Sequence, residues 1–249
     1  MTNSDIAIIF LTALVLCMIF VYSVKFFSFF RILAYYSPFN FVRIFFFKCG
    51  RVNIGKNVFI APNVSIMDGV TVGDDSFLNR YAFIGKKVSI GNSVILARHS
   101  YVSNCEIGNH CKINTGAVIF GTDSNSLILG ENCTIGYYSI LDGSGGLKIG
   151  NSVHIASPSV GIWTHNSIGN ALGGIKINTS KYKDNLKFSS VSIRDNVWIG
   201  GNTTVYPDSK INKNCVILPN SVVNCITESG FVYGGTPLKK IKKTKEIAL

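Results

Sequence analysis

The residues Ile54-Gly55-Lys56-Asn57-Val58-Phe59-Ile60-Ala61-Pro62-Asn63-Val64-Ser65-Ile66-Met67-Asp68-Gly69-Val70-Thr71-Val72 carry the reading of the whole chain. An aliphatic side chain returns every six positions, and the rhythm runs on through Leu78, Ile84, Ile90, Leu96 and Val102. It drops one residue, resumes at Ile107, Ile113 and Ile119, breaks over 123–126, and continues at Leu129, Ile135 and Leu141. Ile149, Ile155 and Gly161 follow; after a long insertion come Ile193, Ile199, Val205, Ile211, Ile217 and Val223. No stripe of 3.6-residue period survives beyond residue 50, so a helical reading fails.

Two companion positions keep the same phase. Four residues after the aliphatic stands a small or β-branched residue, as at Val58, Val64, Ser76, Ala82, Cys111, Cys133, Ser139, Thr203 and Cys215. Three residues after it a turn former is common: Asn57, Asn63, Gly69, Asp75, Gly116, Asn132, Asn196, Asn202, Asp208, Asn214 and Asn220. These residue types tolerate the left-handed backbone of a sharp corner. One large inward residue, one small inward residue and one corner describe a short strand plus a turn. Three such units close a triangular coil, and stacked coils pair their strands in parallel. The 24 units make about eight coils, a column of ~38 Å at ~4.8 Å per coil. The expected fold is all-β, a parallel β-helix over residues 51–224. A polar loop at 164–190 projects from it and a basic cap at 225–249 ends it.

The remainder of the chain reads differently. Of 249 residues 47 % are apolar and only 15 % charged, which directs attention to a segment able to sit in lipid. Residues 6–24 carry no charge and would span about 28 Å as a helix, close to the ~30 Å hydrocarbon thickness. Asp5 before the run and Lys25 after it do not suit a cleavable signal peptide. Residues 1–25 are therefore expected to be a membrane anchor. Lys25, Arg31, Arg43, Lys48 and Arg51 all follow the run, so a single pass of the bacterial inner membrane would leave the rest of the chain in the cytoplasm. Between Phe26 and Phe47 nine phenylalanines mix with tyrosines and arginines, an interfacial composition for residues 26–50, with membrane lipid as partner. The net charge of +11 is concentrated beside that segment and at Lys239, Lys240, Lys242, Lys243 and Lys245, so nucleic acid is not the expected partner. Seven scattered cysteines without a CxxC pair suit a reducing compartment.

Repeated pairs such as Ile54-Gly55, Ile84-Gly85, Ile90-Gly91, Ile107-Gly108, Ile135-Gly136 and Ile199-Gly200 resemble the hexapeptide-repeat acyltransferases over roughly residues 51–243. The resemblance sharpens over Ile149-Gly150-Asn151-Ser152-Val153-His154-Ile155, continues to Trp163-Thr164-His165, and resumes at Val197-Trp198-Ile199-Gly200-Gly201. It implies a left-handed coil, a homotrimer with sites between neighbouring columns, and an O-acetyltransferase of the sugar or polysaccharide type. Acetyl-coenzyme A would be the donor and a cell-envelope saccharide the acceptor, with no metal. His165 stands at the position of the family's catalytic histidine. An acceptor hydroxyl is a poor nucleophile, and a neutral imidazole, of ordinary pKa ~6.5, can take its proton as the oxygen attacks the thioester. The resemblance places Trp198 and Gly201 beside the thioester arm and Asn224 further down. Lys239 and Lys242, in the closing motif Val232-Tyr233-Gly234-Gly235-Thr236-Pro237-Leu238-Lys239-Lys240-Ile241-Lys242, would meet the phosphates.

Departures from the family pattern bear mainly on the acceptor. Tyr137 and Tyr138 stand where many sugar acetyltransferases have an acceptor-binding asparagine, Pro219 lacks an amide hydrogen, and Cys225 replaces a common lysine. Tyr137, Asp142 and Asn166 are the candidate acceptor contacts, although Asp142-Gly143-Ser144-Gly145-Gly146 also reads as a simple turn. Three alternatives remain open: N-acetylation of an amino sugar, a non-catalytic scaffold, and a metal-dependent carbonic anhydrase. The last needs converging histidines, and His99, His110, His154 and His165 offer no closely spaced pair of the required kind.

Overall fold

The computed structural model describes residue 12 and residues 26–247, and the column is the predicted one. Its strands, mostly two or three residues long, form three parallel sheets of eight, ten and eight strands, each taking every third strand of the coil. Within these three sheets the last strand of the ten-stranded one, alone among the described residues, pairs antiparallel. Each sheet is one face of a triangular prism of eight coils, and stacked aliphatics pair in register: Ile54 on Val72, Ile60 on Leu78, Ile66 on Ile84. The first face carries Ile54, the second Ile60 and the third Ile66. The edges between them are numbered in the same order, so the third edge returns the chain to the first face.

The small residues predicted to point inward do so, from Val58 to Ser221, none of them more than 4 % exposed. With the aliphatics they form one continuous core. All eleven predicted corner residues have positive φ, between +53° and +73°. The recurrent Ile-Gly pair has a packing cause as well. At the first edge the Asp74 carboxylate accepts from Lys56 N–H at 2.7 Å, Asn92 Oδ1 from Asp74 N–H at 2.8 Å, and Asn109 Oδ1 from Asn92 N–H at 2.8 Å. Each such oxygen sits against the glycine one coil below: a Cβ at Gly91 would lie 2.6 Å from Asn109 Oδ1.

One register differs from expectation. Ile162 is the inward residue paired with Leu141, and Gly161 pairs with Ile140 on the outside. The corner after Ile155 holds one residue more than its neighbours, its positive φ falling at Ser159.

The ends are closed by non-repeat structure. Residues 26–36 and Asn40–Cys49 are helical and cover the first coil. Phe47 is fully buried there, and Arg43, 2 % exposed, donates to the Ile60 and Ser37 carbonyls at 2.7 Å each. Segment 26–50 is thus partly core, with Phe26, Phe29, Phe41 and Phe45 outside. No helix among the described residues is long and apolar enough to cross a membrane. That overturns the single-pass placement in the bacterial inner membrane. The apolar run at 6–24, on which that expectation stood, lies outside the described residues apart from Thr12. At the other end Phe231–Gly234 adds a parallel strand to the second face, and Lys239–Lys243 returns antiparallel to it as an exposed edge.

Candidate active site

Two consecutive coils meet at the third edge to build the site. The strand Ile140–Asp142 ends there, and one coil later Gly161–Ile162 runs on into Trp163, Thr164 and His165. Asp142 is fully buried, and its Oδ2 lies 2.7 Å from His165 Nδ1. The same oxygen accepts from Thr164 N–H at 3.0 Å, while Oδ1 accepts from Ser144 N–H at 2.9 Å and from the Ser144 hydroxyl. The Thr164 hydroxyl, within reach of the Asp142 carbonyl and carboxylate, accepts from Gly145 N–H at 2.8 Å. The glycines after Asp142 are what allow this proximity, since a Cβ on Gly145 would overlap the Thr164 carbonyl.

Burial pushes the Asp142 carboxyl up, but the Ser144 hydroxyl, the Thr164 and Ser144 amides and His165 together hold it below the usual carboxylate range. Asp142 is therefore an anion facing an imidazole. The Nδ1 of His165 carries the proton in that bond, and Nε2 is left as the basic nitrogen. The acceptor contact expected of Asp142 is corrected accordingly: a buried carboxylate whose oxygens are taken by the chain's own donors positions His165 and has no open face for a sugar.

Residues 164–190 form an arm on this edge. His165–Asn166 pairs antiparallel with Lys187–Phe188, and two short helices, Ile168–Leu172 and Ser180–Asp184, lie between. The Phe188 ring is 5.9 Å from the His165 ring, and Asn166, next to His165, pairs with Lys187.

The other predicted residues lie elsewhere on the column. Trp198, 37 % exposed, projects from the second face between His154 and Val216. It lines a groove of about 340 Å³ with Ser152, His154, Asn196, Asn214 and the C-terminal Thr244 and Ile247. Gly201 and Tyr137 are on the second edge. A Cβ on Gly201 would strike the Ser157 carbonyl, so it is a packing glycine, and Tyr137 is exposed. Asn224 follows the last strand of the third face and is exposed on the edge that holds His165. Lys239 and Lys242 are exposed on the C-terminal strand. Within one chain the structure unites His165, Asp142 and Asn166 and leaves Trp198, Gly201, Tyr137, Asn224, Lys239 and Lys242 apart from them. Sequence reading missed Ser144, Thr164 and Phe188. The signal for the first two was the coil spacing of Leu141 to Ile162, concealed by the extra residue near Pro158.

The sequence profile of the bacterial transferase hexapeptide (six repeats) matches residues 51–86 and 190–225. An acetyltransferase of Saccharomyces cerevisiae, provisionally so named, is 32 % identical over 123 residues, 49 % of this chain. The match spans 58 % of that yeast protein's length. Among solved structures, a UDP-N-acetylglucosamine acyltransferase from Campylobacter jejuni superposes with a TM-score of 0.64 at 15 % identity, covering 78 % of this chain and 71 % of that one. AntD, an N-acyltransferase from Bacillus cereus in complex with dTDP and 3-hydroxybutyryl-CoA, gives 0.51 at 24 % identity over 66 % of this chain and 82 % of its own. By its six-residue repeats and its stacked parallel coils, this chain has the fold of these acyltransferases and carries the bacterial transferase hexapeptide repeat over residues 51–86 and 190–225.

Proposed function

We propose that the chain is an acetyl-coenzyme A-dependent O-acetyltransferase acting on a saccharide hydroxyl by direct transfer, with His165 as general base. The observation that carries this reading is the 2.7 Å bond from His165 Nδ1 to buried, ionised Asp142. It directs Nε2, on a side chain 35 % exposed, toward an incoming hydroxyl. Nε2 takes the hydroxyl proton as the oxygen bonds to the thioester carbonyl carbon. The carbon–sulfur bond then breaks, and the departing thiolate recovers the proton from Nε2–H, leaving an ester and free coenzyme A. Asp142 stays ionised throughout and stabilises the transient imidazolium.

The name of the yeast relative and the acyl-CoA held by the Bacillus counterpart support the donor. The donor site is proposed at the Trp198 groove, with Gly201 and Asn224 along the pantetheine and Lys239 and Lys242 at the phosphates. Because Trp198 and His165 project from different sides of one column, the reading includes a homotrimer in which one chain's groove faces the next chain's His165. Tyr137 and Asn166 are proposed to contact the acceptor. The link to a cell-envelope saccharide rested on the membrane anchor and loses that support, so the acceptor is proposed as a saccharide without a stated location.

The test is transfer from labelled acetyl-coenzyme A to candidate saccharides by purified protein. His165→Ala is expected to reduce the rate about 10²–10⁴-fold while the chain still folds cooperatively. An undiminished rate would remove His165 from the chemistry. Release of the label by mild base separates an ester from the amide that N-acetylation would leave.

A further inference from the structure

The three edges of the column differ in charge and in ring content. The first edge holds Asp74, Asp75, Glu131 and Asp195. The second edge, made of residues 61–64, 79–82, 97–100, 114–117, 136–139, 156–160, 200–203 and 218–221, holds no acid at all. It presents Arg80 and Arg98, both exposed and one coil apart, and neither forms a salt bridge among the described residues. Beside them Tyr81 and His99 stack at 5.0 Å with ring planes 9° apart. On the adjoining third face Phe83 and Tyr101 stack at 5.0 Å and 5°. Two coils beyond His99, Tyr138 is 62 % exposed and its ring lies over Gly116, where a Cβ would clash with it.

Three of these rings occupy corners at conformational cost. Tyr81, His99 and Tyr138 have φ of +62°, +56° and +57°, a region in which a bulky residue loses roughly 1–2 kcal/mol. On the same edge Asn63, Asn202 and Asn220 turn the same corner with the favoured residue type. Folding needs only the corner, so exposed rings there call for another cause, as strained exposed residues often do.

We propose that the second edge, from Tyr81 to Tyr138, is a docking track for an acidic saccharide chain. The proposal rests on the acceptor being a saccharide and specifies its chemistry. Flat ring faces suit the apolar C–H faces of successive sugar rings. Unpaired guanidinium groups beside them suit carboxylate or other anionic substituents, which they bind in bidentate fashion. The track spans three coil steps, about 14 Å at ~4.8 Å each, long enough for an oligosaccharide. It also ends in the right place. Tyr138 and Asp142 bracket a single strand of the third face, four residues or about 13 Å apart at ~3.3 Å per residue, so a chain on the track passes one face-width from the Asp142–His165 pair.

Fluorescence anisotropy on the full chain tests this with three labelled probes: an oligogalacturonate, a neutral cello-oligosaccharide and a single-stranded oligothymidylate. The oligogalacturonate is expected to bind best, more weakly as salt rises. Arg80→Ala combined with Arg98→Ala, and separately Tyr81→Ala combined with Tyr138→Ala, should each weaken it about 10-fold or more at unchanged melting temperature. His165→Ala should bind it like the native chain. Failure of acetyl transfer with binding intact would sink the enzymatic reading alone. Three results would overturn the track: equal affinity in the double arginine variant, tighter binding of oligothymidylate, or a fall in sedimentation coefficient of that variant, which would make the edge a contact between copies.

Discussion

A histidine about one-third exposed at a corner is chemically ambiguous until its Nδ1 has a partner, and at His165 that partner is Asp142. Replacing Asp142 by Asn keeps the shape but presents an NH2 where donors already point. The rate of acetyl transfer is expected to fall about 10²–10⁴-fold, and stability at pH 7 by about 1–3 kcal/mol. The pH dependence has a definite sign. Since the folded carboxyl lies below its ordinary value, its stabilising contribution is complete above the unfolded value of ~3.9 and disappears as pH falls through the folded one. Urea unfolding at pH 7 and near pH 3 should show a smaller acid loss for Asp142→Asn than for the native chain. Identical acid losses would mean that the bonds to Asp142 do not stabilise the fold. At this scale the flanking motif singles out His165 as the candidate base. Asp142 was not legible as its partner, because the extra residue at the corner after Ile155 shifted the count by one.

Among the elements, the corner is where sequence and packing speak most directly. A Cβ at Gly91 would meet both the Asn109 side chain and its backbone nitrogen, at 2.6 and 2.9 Å. Gly91→Ala is expected to cost about 1–3 kcal/mol in chemical unfolding, and Lys112→Ala, on the outward side of a strand, less than about 0.5 kcal/mol. Equal effects of the two would remove the packing explanation for the Ile-Gly pair. Eleven corners were readable from Asn, Asp and Gly. Tyr81, Lys87, Ser93, His99, His110, Tyr138 and Ser152 turn with the same positive φ and carry no such signal. Stacked coils dictate the corner, and the ~1–2 kcal/mol it costs an unsuited residue is small beside the burial of the adjoining aliphatic. The arm shows the opposite limit: its lysines and asparagines predicted projection, and only the structure reveals the ribbon that sets Phe188 against His165.

At the scale of the whole molecule the column is a one-dimensional stack, in which each coil is supported by its neighbours and the ends need closing. Arg43 serves that purpose, bonding Ile60 in the first coil and Ser37 in the turn between the helices. Arg43→Leu leaves those carbonyls without this donor and should destabilise by about 2–4 kcal/mol, with faster hydrogen exchange over residues 53–66 than at the column centre. Uniform exchange along the column would instead indicate a single cooperative unit. The sequence by itself determined the repeat, the inward residues and most corners. Each of these is a local choice repeated at constant spacing, so that periodicity averages out the exceptions. Only the tertiary structure decided the Asp142–His165 pair, the capping use of Arg43 and the unlike edges of the prism. Those depend on which residues of different coils come level, and one inserted residue changes that while leaving the hydrophobic rhythm on either side of it intact.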